Sequence, residues 1–165
     1  MDLVIAADDP RADDVRALIA THLAFSHAVT PPGFVFALDT EALAGPAQDV
    51  AFFSARRDGL LLGMGALKRI DAAHGELKSM HTTEAARGQG VGEAMVRHLL
   101  AFAAARGHRR VSLETGSMEA YAPARALYRK LGFEPCGPFG DYELSPHSAY
   151  MTIDLAAAAD GAARA

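Results

Sequence analysis

Three glycines, Gly88, Gly90 and Gly92, occupy alternate positions immediately before a stretch with a helical pattern. Glycine costs conformational entropy and is favoured where the backbone takes unusual dihedral angles or where another group approaches it closely. Residues 75–83 before the glycines and residues 109–115 after the helix both have strand patterns. A strand–helix–strand connection places its two strands parallel, with a right-handed crossover. The glycines therefore predict a strand-to-helix turn in a fold that packs helices on a sheet.

The remaining segments add elements that can pair antiparallel. In chain order, the predicted elements are strand 3–7, helix 8–25, hairpin 49–70, strand 75–83, helix 92–106, strand 109–115, helix 119–131 and strand 148–155. Asp58-Gly59 is a strong signal for the hairpin turn. Gly107 and Gly132 are placed to end the last two helices, and Pro123 falls in a first turn, where proline is tolerated. The sequence predicts an α/β or α+β fold, a mixed sheet with helices on both faces.

Composition limits the function classes. The 165 residues suit one domain, predicted over residues 1–155, and residues 156–165 are a low-complexity stretch predicted to be a frayed tail. A net charge of −4 without a basic block argues against nucleic-acid binding. The N-terminus does not resemble a signal peptide, and no apolar run is long enough to span a membrane, so we expect a cytoplasmic protein. The single cysteine, Cys136, permits no internal disulfide and no cysteine zinc cluster, and we read it as structural.

A glycine-rich turn at a helix N-terminus can bind an anion. Several backbone N–H groups there have no partner within the helix, and the helix dipole adds partial positive charge. Arg87 adds a full charge, so a phosphate group is the expected ligand. The spacing matches neither the nucleotide-hydrolysing P-loop nor the dinucleotide-binding motif. On the glycines alone, a tight turn that binds no ligand is the alternative.

Two motifs narrow the choice. The stretch Arg87-x-x-Gly90-x-Gly92 resembles the acetyl-coenzyme A loop of the GNAT acetyltransferase superfamily, and residues 120–137, AYAPARALYRKLGFEPCG, resemble the helix and signature that follow it. The two motifs lie in the family's order, and the similarity covers residues 49–155 best. The resemblance implies a mostly antiparallel sheet with a splayed parallel pair. It also implies a bacterial-type N-acetyltransferase that transfers an acetyl group to a primary amine of a small molecule, amino acid or peptide, directly in a ternary complex.

The resemblance implies where acetyl-CoA binds as a co-substrate. The backbone N–H groups of about Gln89 to Gly92 would hold the pyrophosphate beside Arg87, and the pantetheine arm would run along the preceding strand. The cofactor-binding residues implied in this way are Met80, His81, Thr82, Arg87, Gly88, Gln89, Gly90, Val91 and Gly92. His81 could instead act as a base, although packing is the commoner role of a strand histidine. No metal is expected.

The resemblance also implies catalytic residues. Tyr128 matches the family tyrosine that gives a proton or hydrogen bond to the departing thiolate. An amine must be neutral to attack, so a base is expected. Glu76 is at a strand position where many members carry a glutamate base, with a salt bridge to Lys78 as the alternative role. Glu114 on the neighbouring strand is the second candidate. The two carboxylates could also select a cationic amine without moving a proton.

The acceptor pocket is the least constrained part. Many family members have an asparagine where this chain has Tyr121, so the asparagine's contact with the cofactor is in doubt here. The substrate-pocket residues proposed from the sequence are Ser117, Tyr121, Phe139 and Tyr142. The last two lie in a GPFGDY loop that either closes over the acceptor or forms a plain turn. The irregular segment 26–43 is either a substrate wall or lid, or a simple connection.

Two other functions stay open at this level. One is a catalytically silent acyl-CoA-binding sensor or interaction module, which would bind the cofactor without turnover. The other is a plain interaction domain with no affinity for coenzyme A. A homodimer through the apolar strand at residues 149–155 is also possible, and no nucleic-acid or membrane partner is expected. The acceptor amine cannot be named, because its walls come from loops that vary freely on one scaffold.

Overall fold

The structure is a computed structural model that describes residues 2–155. The helices and strands, in chain order, are β1 (Val4–Ala7), α1 (Asp13–Val29), α2 (Thr40–Ala44), β2 (Val50–Arg57), β3 (Leu60–Arg69), β4 (His74–Thr82), α3 (Val91–Ala105), β5 (Arg110–Gly116), α4 (Ala122–Lys130), β6 (Glu134–Cys136) and β7 (Ser148–Asp154). The strands form one sheet in the order β1-β2-β3-β4-β5-β7-β6. Within the described strands, β4 and β5 pair parallel and every other neighbouring pair is antiparallel. The predicted mixed, mostly antiparallel sheet is confirmed; the tail predicted for residues 156–165 lies outside the described residues.

The hairpin turn follows directly from its sequence. Asp58 and Gly59 both have positive φ, +54° and +80°. Positive φ at both central positions is the requirement of the tight turn that matches strand twist, and Asp-Gly meets it with little strain. The turn joins β2 to β3, which form the most extensive pairing in the centre of the sheet.

Helices cover both faces of the sheet, as predicted. Successive strand residues point to opposite faces, so Phe52 packs with Val15 and Ile19 of α1, while Phe53 packs with the helices of the other face. That second cluster is built on α3, whose apolar stripe includes Leu99, a residue with no exposed surface. No helix within residues 2–155 is long and apolar enough to cross a bilayer.

Helix ends also agree with their sequence signals. Gly107 and Gly132, which follow α3 and α4, have φ of +85° and +105°, a conformation that glycine adopts without a steric penalty. Pro123 lies in the first turn of α4, where its missing N–H is not needed. The predicted start of this helix at residue 119 is instead a short 3-10 turn, Glu119–Tyr121.

Three features were not predicted. Strand β6 is three residues long, lies at the sheet edge and contains Pro135, so it has no alternating pattern to detect. Helix α1 continues to Val29, four residues beyond its predicted end. The irregular segment that follows contains the short helix α2, whose N-terminus is capped by the side chain of Asp39.

Candidate active site

The parallel strands β4 and β5 separate partway along their length. Their pairing ends at Leu77 opposite Leu113, although β4 continues to Thr82 and β5 to Gly116. At this point the register between β3 and β4 shifts by one residue, and Ser79 has a φ of +56°. A bulge of this kind bends its strand and increases its twist. The end of β4 therefore turns away from β5, and the predicted splay is confirmed.

The gap opens into a cleft of about 660 Å³. One end is formed by the glycine-rich turn and the N-terminus of α3, and the other by α1 and the connection at residues 30–37. Of the residues predicted for the site, the cleft lining contains Met80, His81, Thr82, Arg87, Gly88, Gly90, Val91, Gly92, Glu114, Tyr121 and Tyr128. It does not contain Glu76, Gln89, Ser117, Phe139 or Tyr142, all of which the structure describes.

The N-terminus of α3 presents unpaired N–H groups to this cleft. Gly90 precedes the helix with a φ of +82°, Gly88 has a φ of +77°, and no side chain caps the helix. Within the described chain, the backbone N–H groups from Gly88 to Glu93 have no backbone acceptor. A Cβ at Gly88 or Gly90 would meet nothing within 4 Å, so open space lies beside the turn. The arrangement suits an anion, which the helix dipole would also favour.

Gly92 serves packing rather than backbone conformation. A Cβ at this position would lie 3.3 Å from Leu127 Cδ2 of α4 and 3.6 Å from Thr82 Oγ1 of β4. The first contact is tighter than an ordinary van der Waals contact. The missing side chain therefore lets the first turn of α3 approach both neighbours.

Tyr128 of α4 lies on the cleft wall with most of its side chain covered. It is 7% exposed and its ring packs edge-on against Phe133, with centroids 5.7 Å apart. Burial alone raises the pKa of its hydroxyl. Tyr128 is therefore protonated at neutral pH, and it is one of the residues that line the cleft.

Glu114 of β5 is one of two carboxylates on the cleft wall; the other, Glu93 of α3, pairs with Lys130 at 2.8 Å. It follows the last paired residue of the parallel strands, so it lies where they begin to diverge. Burial raises the pKa of this carboxyl, the Ser148 side chain and Lys78 lower it, and the nearby Glu76 raises it by a smaller amount. A carboxylate with a raised pKa is a stronger base than one in water.

Glu76 is enclosed by two partners instead of facing the cleft. Its side chain is 4% exposed, and its Oε2 accepts a hydrogen bond of 2.5 Å from the hydroxyl of Tyr142. Lys78 Nζ lies 3.5 Å from the same Oε2 and donates to the Tyr142 hydroxyl at 3.0 Å. Lys78 also donates to the backbone oxygen of Phe36 at 3.0 Å. The cluster joins β4, the connection after α1 and the loop before β7 at one point.

A pair of histidines lies beside this cluster on the cleft wall. His22 of α1 and His81 of β4 approach with their Nδ1 atoms 3.0 Å apart. Burial lowers the pKa of both rings, and the proximity of His81 and Lys78 helps to bring that of His22 to about 4. Both histidines are therefore neutral near pH 7, with one Nδ1 donating and the other accepting.

The remaining residues predicted for the pocket divide into two groups. Tyr121 lines the cleft, and its hydroxyl lies 3.1 Å from Thr30 Oγ1. Ser117 instead donates to the backbone oxygen of Pro146 at 2.5 Å and lies outside the lining. Phe139 is buried against other aromatic rings, and Tyr142 binds Glu76. The GPFGDY loop therefore packs on the sheet, where Phe139 contacts His74 of β4 and Tyr150 of β7, and neither of its aromatic residues is in the cleft lining.

The sequence analysis did not identify several cleft residues. Among them are His22, Phe25, Thr30, Phe34, Phe36, Glu93, Lys130 and His147. The available signal was the aromatic run Phe34-Val35-Phe36 within segment 26–43, for which a substrate wall was one of two predictions. Contacts across the cleft between this segment and residues far along the chain were not readable from a pattern.

Comparisons with known proteins agree with this geometry. The model of the Acetyltransferase (GNAT) family matches residues 18–133. The chain is 42% identical over 151 residues to the uncharacterized N-acetyltransferase YsnE of Bacillus subtilis (strain 168). The aligned residues cover 92% of this chain and 99% of that protein. It is 40% identical over 151 residues to the uncharacterized N-acetyltransferase YedL of Escherichia coli (strain K12), covering 92% and 94%.

A solved structure shares the fold along nearly the whole chain. It is a candidate acyl-CoA N-acyltransferase from Klebsiella pneumoniae subsp. pneumoniae MGH 78578. The two structures superpose with a TM-score of 0.76 at 27% sequence identity, covering 93% of this chain and 97% of the other. The similarity therefore includes both ends of the cleft.

Proposed function

The chain belongs to the GNAT acetyltransferase family and is an N-acetyltransferase, and we propose that it transfers an acetyl group from acetyl-CoA directly to a primary amine in a ternary complex. The observation that carries the proposal is the opening between β4 and β5 beside an uncapped helix N-terminus. A relative solved as a candidate acyl-CoA N-acyltransferase has the same fold. The acceptor would be a small molecule, an amino acid or a peptide.

The residues present fit acetyl-CoA at one end of the cleft. The unpaired N–H groups from Gly88 to Glu93 and the guanidinium of Arg87 suit a diphosphate. Beyond Leu77, the edge of β4 that faces the gap has no partner strand in the described chain, so Met80 to Thr82 can pair with the amides of an extended ligand. When bound, acetyl-CoA supplies a thioester, so that an N–C bond forms as the C–S bond breaks.

We assign the base to Glu114. A simple alkyl amine has a pKa near 10 and is mostly protonated at neutral pH. Of the two carboxylates in the cleft lining, Glu93 is paired with Lys130 at 2.8 Å, whereas Glu114 lies where the parallel strands diverge and burial raises its pKa. It takes the proton from the amine directly or through a water molecule. Before that step, its negative charge attracts the ammonium form into the cleft.

Tyr128 is the proposed acid for the thiolate. An ordinary tyrosine hydroxyl, with a pKa near 10, is already protonated at neutral pH, and burial raises the pKa of Tyr128 further; the residue lines the same cleft as the glycine-rich turn. The proton that Tyr128 gives to the sulfur balances the proton that Glu114 removes from the amine. For Glu76 we propose a positioning role, since both Tyr142 and Lys78 bind its one carboxylate oxygen.

Thermal unfolding with and without millimolar acetyl-CoA tests the cofactor site, with ATP and NAD as controls. A ligand at about 100 times its Kd stabilises a protein by about 2.7 kcal/mol, which raises Tm by several degrees in a domain of this size. Of the three ligands, we expect only acetyl-CoA to raise Tm. We also expect the protein to release thiol from acetyl-CoA only when an amine is added. A folded sample with no selective shift would contradict the proposal.

A further inference from the structure

Aromatic rings form the acceptor end of the cleft. Phe25 of α1 packs edge-on against Tyr121, with ring centroids 5.4 Å apart, and Phe34 packs against His147 at 4.6 Å. These four residues and Phe36 all line the cleft. Within each pair the rings are in contact, so a ligand would pack against the pairs and not between their members. A pocket of this composition binds a flat apolar group.

The ionisable groups at this end leave one negative charge. Glu76 and Lys78 are two residues apart on β4, and Glu114 is on the neighbouring strand β5. The carboxylate of Glu76 and the ammonium of Lys78 lie 3.5 Å apart, so their charges neutralise each other. The histidines His22 and His81 are neutral because burial lowers their pKa. Glu114 interacts with both Lys78 and Glu76, so the two carboxylates and one ammonium leave a net charge of −1 at this end. That net charge matches a single cationic amine.

We propose that the acceptor is a primary amine with one positive charge and an aromatic group, its nitrogen facing Glu114 and its ring among Phe25, Phe34 and Tyr121. The proposal rests on the proposed acetyltransferase function. An amino acid would bring a carboxylate close to Glu114, while the ammonium of Lys78 is already paired. A diamine would place its second charge among aromatic rings, where cation–π contact offsets only part of the lost hydration and no carboxylate binds it. Both arrangements leave a charge poorly solvated and unpaired.

Four acceptors with and without the ring, a carboxylate or a second amine test this substrate class. We would measure kcat/KM by thiol release from acetyl-CoA with 2-phenylethylamine, n-butylamine, L-phenylalanine and putrescine. A change of one methylene in an apolar pocket alters kcat/KM by about 10- to 200-fold, so removal of a whole ring should cost at least about 100-fold. We expect 2-phenylethylamine to exceed each of the other three by that factor.

Two phenylalanine variants locate the effect. Phe25→Leu should raise KM for 2-phenylethylamine by about tenfold or more, since a ring contact is replaced by a smaller side chain, and leave KM for acetyl-CoA unchanged. Phe102→Leu is the matched control, because Phe102 packs on Phe53 and Arg106 of the α3 face, away from the cleft. Equal effects of both variants would overturn the assignment of Phe25 to the acceptor site.

The outcomes separate this proposal from the one it rests on. If acetyl-CoA raises Tm but n-butylamine, L-phenylalanine or putrescine is as good an acceptor as 2-phenylethylamine, the substrate class is wrong and acetyl transfer stands. If acetyl-CoA binds and 2-phenylethylamine is not acetylated, the substrate class is also wrong. If acetyl-CoA neither raises Tm nor releases thiol with any amine, the proposed function fails, and the substrate class fails with it.

Discussion

His22 and His81 meet nitrogen to nitrogen, with their Nδ1 atoms 3.0 Å apart and their rings nearly perpendicular at 77°. The hydrogen bond requires one Nδ1 to carry a proton and the other to be free of it. Protonation of the free nitrogen would replace this bond with two donors facing each other. The pair therefore connects helix α1 to strand β4 only while both rings are neutral.

The first prediction concerns stability at low pH. The folded pKa of His22 is about 4, below its ordinary value of 6.5, so the unfolded chain binds more protons between these two values. The contribution of neutral His22 is complete above pH 6.5 and is lost as the pH falls towards 4. The full loss is about 3 kcal/mol. We expect His22→Gln to lose less stability than the wild type between pH 7 and 4.5, measured by urea unfolding.

His27→Gln provides the control for this series. His27 is exposed on the same helix, so the substitution keeps the histidine count equal to that of His22→Gln. The His27 variant should follow the wild-type curve at every pH. If His22→Gln also followed the wild-type curve, protonation of the His22–His81 pair would not contribute to the loss of stability at low pH.

The second prediction tests Glu114 as the base. A general base contributes about 10²- to 10⁴-fold, so Glu114→Gln should lower kcat/KM by about 100-fold or more near pH 7. The acid limb of the pH profile should disappear, because the group that must lose its proton is gone. Raising the pH to about 9 should restore part of the rate, since more of the amine is then neutral. Burial raises the pKa of Glu114 above its ordinary value of 4.5, so the acid limb of the wild-type pH profile should lie above pH 4.5.

Glu134→Gln is the matched control for that series. Glu134 is exposed in the edge strand β6, and its substitution should leave both the rate and the pH profile unchanged. A Glu114 variant that kept the wild-type acid limb would show that another group takes the proton.

The third prediction separates Glu76 from Glu114. Glu76→Gln leaves Lys78, whose side chain is 10% exposed, without its charged partner. Removal of one member of a buried pair costs about 3 kcal/mol, so stability should fall while the acid limb of the rate profile persists. The double variant Glu76→Gln with Lys78→Met removes both charges and should recover part of the stability. If Glu76→Gln kept the wild-type stability and its pH–rate profile lost the acid limb, Glu76 would be the base instead.

The sequence predicted the parts of the site that depend on short stretches of chain. The glycine-rich turn needs positive φ at Gly88 and Gly90, and Tyr128 belongs to a continuous helical signature. Such features are encoded within a few residues, so a single sequence can reveal them. The same is true of the hairpin at Asp58-Gly59 and of the helix ends.

The sequence could not predict features that depend on contacts between distant segments. Its position along β4 made Glu76 a candidate base. The hydrogen bond that Glu76 accepts from Tyr142, 66 residues further along the chain, could not be predicted from that position. Phe139 was expected in the acceptor pocket, and it is buried against Tyr142 and Tyr150 outside the cleft lining. Phe25 and Tyr121 are far apart in the chain and touch only in the fold. Nothing local indicates which aromatic side chains face a ligand and which face each other.

The fourth prediction uses two glycines with the same backbone conformation. Gly90 and Gly59 have φ of +82° and +80°, and a Cβ at either would meet nothing within 4 Å. Alanine at either position should therefore cost about 1–2 kcal/mol of stability through the left-handed backbone. We expect only Gly90→Ala to abolish most of the Tm shift given by acetyl-CoA. Equal shifts in both variants would mean that the turn before α3 does not bind the cofactor.

The last prediction concerns the proton that Tyr128 supplies. Tyr128→Phe keeps the ring packed against Phe133 and removes only the hydroxyl, so Tm and its shift with acetyl-CoA should change little. The rate should fall by about 100-fold, a typical contribution of one positioned acid. Tyr150→Phe is the control, because that hydroxyl is also in a buried residue and donates to the backbone oxygen of Glu143. Its loss should cost about 1 kcal/mol of stability and leave the rate near the wild-type value. If both variants kept full activity, the thiolate would take its proton from another donor, and Tyr128 would serve only to pack α4 on the sheet.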